Sequence, residues 1–147
     1  MKKLLCAFLA LSFVLAGCGS EKTEKIVCKT TTSVIDVTNE IEYQGEKIVK
    51  QTIINETSLA LLGVDKETIE STFAFFETQY DMAGVTYTAE VNDEGNIVEK
   101  IVVDYTSADF KKLETVGLIT LDEDKKATYI SLEQTVNTLN SSGFVCE

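Results

Sequence analysis

The chain has 147 residues, a formal net charge of −11, and no histidine, proline or tryptophan. Such an acidic balance repels phosphate backbones and anionic headgroups, which excludes nucleic acid as a partner. The missing histidine removes the commonest general base and metal ligand, and with it every Ser-His-Asp or Cys-His arrangement within the chain. At 44% hydrophobic residues, the composition is that of a folded domain and not of an acidic disordered tail.

At the start, Lys2 and Lys3 precede an uncharged, mostly apolar run from Leu4 to Leu15, followed by Ala16, Gly17 and Cys18. A basic n-region, an apolar h-region and a small-residue cleavage site make an export signal. The run is shorter than the roughly 20 residues a spanning helix needs. The cysteine directly after Leu15-Ala16-Gly17 resembles the lipobox of bacterial lipoproteins. That resemblance implies cleavage between Gly17 and Cys18, with S-diacylglycerol and N-acyl chains such as palmitate on Cys18. The other reading is an ordinary secretory signal with a chance cysteine. The expected organisation is a removed signal peptide over 1–17, a lipidated cysteine and short tether over 18–25, and a single domain over 26–147. Loss of Lys2 and Lys3 takes the net charge from −11 to −13, so no polybasic patch assists the anchor. Two acyl chains hold where one is marginal, since each buried CH₂ contributes about 0.8 kcal/mol. The expected location is the cell membrane, on its extracytoplasmic face. Gly19 is not the aspartate of an inner-membrane retention signal, which leaves the outer membrane open in a double-membraned cell.

Cys6 leaves with the signal and Cys18 carries lipid, so Cys28 and Cys146 remain. Outside the cytoplasm a leftover pair forms a structural disulfide; the alternative is two free buried thiols. No Cys-x-x-Cys spacing suggests redox work, and too few ligands remain for a zinc shell.

Along the domain, Ile26 to Ile54 is β-rich. Ile35, Val37, Ile41 and Tyr43 alternate with polar residues, the period of a strand with one wet face. Asn39 interrupts the inward face, as a cross-strand hydrogen bond or a small polar pocket would require. Gln44-Gly45-Glu46 signals a turn and Lys47 to Asn55 a returning strand. Asp65 stands as an N-cap before Ile69, Phe73, Phe76 and Tyr80 at helical spacing, which predicts a helix ending near Gly84. Phe73, Phe76 and Tyr80 share a core-facing stripe, whereas Phe75 lies off it, as a second core flank or an exposed contact point. Val85 to Val91 alternates again, Asp93-Glu94-Gly95-Asn96 is a turn, and Ile97 to Tyr105 is β-branched. Ser107 caps a short helix from Ala108 to Val116. A last helix opens at Ser131 and Gln134, which have capping-box spacing, and ends at Gly143. Phe144-Val145-Cys146 then returns to the body near Cys28. The expected fold is α+β, in the order ββα-ββα-α: an antiparallel sheet of four or five strands with helices on one face.

Three segments resemble the YehR-like lipoproteins: 43–52 (YQGEKIVKQT), 102–110 (VVDYTSADF) and 131–136 (SLEQTV). The likeness covers nearly all of the mature chain. It implies an envelope location and this order of elements, and it brings no catalytic residue.

No phosphate-binding glycine loop and no Ser-x-x-Lys stands in the sequence. The 24 acidic residues offer so many nominal pairs that a glycosidase pair is not specified. Neither Asn92-Asp93-Glu94-Gly95-Asn96 nor Asp122-Glu123-Asp124 has the spacing of an EF-hand. They read as a hairpin turn and a solvated loop, so no metal and no cofactor is expected. The reading is a non-enzymatic, lipid-anchored envelope module that binds an envelope protein or a small ligand. The alternatives are a carboxylate-dependent hydrolase of envelope polymer and a structural spacer.

Overall fold

The computed structural model describes residues 21–120 and 128–147. The signal run with Cys6, the cleavage site at Gly17 and Cys18, and the loop from Asp122 to Lys126 lie outside the described residues. Strands β1 (Glu24–Thr31), β2 (Ile35–Gln44) and β3 (Lys47–Ser58) are followed by helices α1 (Leu59–Leu62) and α2 (Lys66–Gln79). Strands β4 (Val85–Val91) and β5 (Asn96–Asp104) lead to α3 (Phe110–Thr115), β6 (Ile130–Ser131), α4 (Leu132–Ser141) and β7 (Val145–Cys146). The sheet runs β4-β5-β3-β2-β1-β7, with β6 beside β3, and every pairing is antiparallel.

The α+β class and the single-sided helical cover agree with the sequence, but among the described residues the sheet has seven strands and the order is not ββα-ββα-α. Three strands precede the first helix, and the domain's first strand opens at Glu24, inside the stretch assigned to the tether. β6 and β7 have two residues each, too few for any periodicity to show. α1 is a four-residue turn of helix and escapes detection for the same reason. α2 stops at Gln79, with Tyr80 as its C-cap, well before Gly84. α3 is capped by Asp109 and not by Ser107: the Asp109 carboxylate accepts from the Lys111 and Lys112 N–H groups. Of two oxygen-bearing candidates, the one adjacent to the helix takes the orphan N–H groups. Ser131 does accept from the Gln134 N–H at 3.3 Å, and Gly143 has the left-handed φ of 88° that ends α4.

Register assembles the core. Ile26, Ile41, Gln51, Val103 and Val85 form one row across the strands, and Cys28, Asn39, Ile53, Ile101 and Tyr87 the next. Leu113 of α3 is fully buried against this face, Phe110 stacks on Tyr105 at 6.2 Å, and Leu132, Leu139 and Phe144 complete the cover. One amide sits inside each of these two apolar rows. Tyr105 Oη donates to Gln51 Oε1 at 2.6 Å, and Gln51 Nε2 donates to Asn39 Oδ1 at 3.0 Å. This is the cross-strand bond anticipated at Asn39, made on the diagonal, because Asn39 itself faces Ile53. A bulge near Glu42 and Tyr43 leaves Val49 without a β2 partner. Its carbonyl accepts from the Tyr105 N–H at 2.9 Å and holds Tyr105 beside Gln51. Glu40, Thr52, Val102 and Thr86 form a row on the opposite face, away from the described helices α2, α3 and α4.

Cys28 is bonded to Cys146 across 118 residues, in register between β1 and β7. Val27 and Glu147 exchange two backbone hydrogen bonds at 2.9 Å beside it. In the chain-entropy account a closed loop of this length stabilises by about 4–5 kcal/mol. Reduction, or Cys28→Ala with Cys146→Ala, is therefore expected to lower the unfolding free energy by an amount of that order, read as a lower denaturant midpoint; an unchanged midpoint would contradict the account. Gly84 offers a second test. It has φ of 79°, and a Cβ there would come within 2.7 Å of the Ala108 backbone N. Gly84→Ala is expected to cost on the order of 2 kcal/mol or more in thermal unfolding, since it combines a strained φ with a clash against backbone.

Candidate functional site

α2 lies over β4, the outermost strand, and the sheet beneath it ends there. The expected core stripe is consequently incomplete. None of the α2 side chains is fully buried; Phe73 and Phe76 are half-buried, and Phe75 is 65% exposed. A helix over a sheet edge has strand under only part of its apolar arc. Of its two readings, the second core flank is excluded: Phe75 is exposed.

The aromatic side chains run in a line from solvent to sheet. Phe75 meets Phe76 edge-on at 5.6 Å, and Phe76 stacks on Tyr80 at 6.1 Å. Tyr80 and Phe76 reach Tyr87 of β4 at 5.3 and 6.1 Å. Tyr87 Oη donates to Glu99 Oε1 at 2.9 Å, and Asn55 Nδ2 donates to Glu99 Oε2 at 2.8 Å. Sequence reasoning placed Tyr87 and Asn55 only as strand residues and did not link them to Glu99. The signal was present in the register, because Asn55, Glu99 and Ala89 share a row in which a carboxylate faces the helical side.

An open groove of about 480 Å³ lies between the end of α2 and β4. Glu77, Tyr80 and Asp81 form one wall; Val85, Thr86 and Tyr87 form the other. Burial pushes the Tyr87 hydroxyl well above its ordinary pKa, assisted by its bond to Glu99 and by that carboxylate's charge. Tyr80 is raised by burial and then by Glu99. Both Glu99 oxygens are engaged and the Tyr87 proton is committed to one of them, so the arrangement holds its ring and carboxylate in place. The groove beside it presents aromatic and acidic surface.

Other residues singled out in the sequence fall elsewhere. The Asn92 to Asn96 segment is a hairpin turn in which Asn92 Oδ1 accepts from the Glu94 and Asn96 N–H groups. Among the described residues no group of three or more Cys, Asp or Glu side chains converges as a metal site. Among them, too, no helix is long and apolar enough to cross a membrane.

Comparison with known proteins places this architecture. Residues 24–145 match the family described as a protein of unknown function, DUF1307. The chain belongs to that family. It is 27% identical over 139 residues to the uncharacterized lipoprotein Lmo0207 of Listeria monocytogenes, across 92% of this chain and 88% of that protein. The fold is similar to the NMR structure of the YehR protein of Escherichia coli, with a TM-score of 0.72 at 22% identity over 87% of this chain and 93% of that one. A protein from Streptococcus pneumoniae, also solved by NMR, matches with a TM-score of 0.53 at 16% identity over 100% of this chain and 96% of that one. The resemblance to YehR-like lipoproteins read from three short segments is thereby confirmed at the level of family and fold.

The tyrosines give a pH prediction. Tyr80, Tyr87 and Tyr105 all have raised pKa values in the folded chain, Tyr105 through burial alone. Below the ordinary tyrosine pKa of about 10 their contribution to stability is constant. Above it the unfolded chain releases protons that the folded chain retains, so stability falls as pH rises. Phenolate absorbance from these three is expected to appear together with loss of near-ultraviolet circular dichroism. Their ionisation at the ordinary tyrosine pKa in a chain that stays folded would contradict the burial of Tyr105 and the partial burial of Tyr80 and Tyr87.

Proposed function

We propose that this protein is a non-enzymatic binding module held by lipid on Cys18 at the extracytoplasmic face of the membrane. The observation that carries the binding reading is the exposed Phe75 at the head of an aromatic run that ends in the α2–β4 groove. Leu61 and Val145 are about as exposed, but Phe75 alone of these continues into a run of packed rings beside a recess, and apolar surface contiguous with a groove supports a binding role. The lipid reading rests on the Leu15-Ala16-Gly17-Cys18 resemblance and on the lipoprotein name of the Listeria relative. The tether then enters at Glu24, which pairs with Tyr43 at the tip of the β2–β3 hairpin. Gln44 Nε2 also donates to Thr23 Oγ1 there at 2.9 Å, so this end of the sheet faces the bilayer.

The hydrolase reading needs two carboxylates flanking a scissile bond. The groove has Glu77 and Asp81, but both stand on the α2 wall, and the β4 wall offers none. A spacer would need neither the groove nor the exposed ring.

Cys18→Ser is expected to abolish palmitate labelling and move the protein from the membrane to the soluble fraction, as read by fractionation and mass spectrometry. A photo-reactive residue at position 75 is expected to give discrete protein adducts in intact cells, and one at Thr38 on the far face none. Retention of membrane attachment without Cys18, or equal adducts from both positions, would contradict the proposal.

A further inference from the structure

We propose that the outer edge of β4, beneath α2, takes up an extended cationic segment of another polypeptide as an added strand. This deepens the binding reading above and rests on it.

The backbone supplies the first argument. The Asp104 N–H donates to the Gly84 carbonyl at 2.7 Å, and the Asn92 N–H donates to the Asn96 carbonyl at 2.8 Å. In an antiparallel ladder the bonded residues alternate, so Thr86, Thr88 and Glu90 turn their backbone groups toward β5. Tyr87, Ala89 and Val91 turn theirs outward, and among the described residues those outward groups have no backbone partner. Edge strands are ordinarily blunted by lysine, proline, bulges or a covering segment. β4 (Val-Thr-Tyr-Thr-Ala-Glu-Val) contains no lysine or proline, and its register with β5 is unbroken. The opposite edge contrasts with it, because β7 is paired and disulfide-bonded over β1 there.

The surroundings specify the occupant. A helix lying alongside a free strand edge, with a groove between, is the geometry in which extended peptides add to sheets. The groove wall presents Glu77 and Asp81. Lys66 of α2 lies within 3.6 Å of Glu70, and the one lysine paired opposite β4, Lys100, faces away from α2. A strand with lysine or arginine at alternate positions matches this field. A second copy of this chain does not. Antiparallel joining of two β4 edges places both α2 helices on the same face, bringing the Glu77 and Asp81 walls together.

The test uses the ¹⁵N-labelled full mature chain in detergent micelles and three capped hexapeptides: alternating Lys-Val, alternating Glu-Val, and the Lys-Val peptide N-methylated at its centre. Addition of the Lys-Val peptide is expected to shift and protect the Tyr87, Ala89 and Val91 amides. The Glu-Val and N-methylated peptides should bind at least about tenfold more weakly, one lost hydrogen bond or charge contact each. Ala89→Pro removes an outward N–H that the ladder does not use, so an edge strand tolerates it. It should weaken binding about tenfold or more with the melting temperature little changed. Should that variant fail to fold, Glu77→Lys with Asp81→Lys should reverse the preference between the Lys-Val and Glu-Val peptides. Binding mapped away from β4, binding insensitive to these changes, no binding by any strand, or concentration-dependent self-pairing through β4 overturns the inference. If the strand fails while position 75 still yields discrete adducts in cells, only this inference falls. If both fail, the binding reading falls with it.

Discussion

Cys28 lies midway along β1 with no solvent exposure, and its bond to Cys146 ties the last strand to the first. The rest of the structure depends on that closure. β7 has only two residues, and two ladder pairs cannot hold a chain terminus against its conformational entropy. The disulfide places β7 where Glu147 can pair with Val27, and α4 then lies over the sheet with Leu132 and Leu139 on the core. Cys28, Ile41, Ile48, Val103 and Leu113 pack together on this side. The fold therefore has a locked half, built on β1, β2, β3 and β5, and a lightly held half in which α2 rests on β4 through half-buried aromatic rings.

Within the locked half, register is fixed by polarity as well as by size. Gln51 is buried and satisfied only because Asn39 and Tyr105 meet it from two neighbouring elements. Slipping β3 by one residue would turn Gln51 to the wet face and send Lys50 or Thr52 inward. A buried polar group that loses its partner costs about 1–3 kcal/mol, so the Tyr105–Gln51–Asn39 chain penalises every register but one. In the other half the Tyr87–Glu99–Asn55 bonds tie β4 to β5 and β3, whereas α2 rests on β4 only through half-buried rings, and that difference leaves α2 and the outer edge of β4 free to accept a contact.

Much of this could be read from the chain itself. The β2–β3 and β4–β5 hairpins follow from alternation ended by Gly45 and Gly95, the cap of α2 from Asp65, the cap of α4 from Ser131, and the disulfide from counting cysteines. What stayed hidden was set by tertiary context. Two-residue strands carry no period. Asp109 displaced Ser107 as a cap by standing one residue before the helix. Phe73 and Phe76 read as core because helical spacing reveals a stripe but not the width of sheet beneath it. The Tyr87–Glu99–Asn55 cluster depends on a register linking residues far apart in sequence, which no local pattern shows.

The division into two halves also orients the molecule. Val85 and Ile26 share a register row, so the groove opens at the end of the sheet where β1 begins, on the edge opposite the disulfide. Residue-resolved native-state hydrogen exchange of the oxidised protein tests this division most directly. The account predicts that amides of Ile41, Gln51 and Val103 exchange only through global unfolding, and those of α2 through a local opening of lower free energy. Exchange of α2 amides at the global free energy would contradict it and show one uniformly held structure.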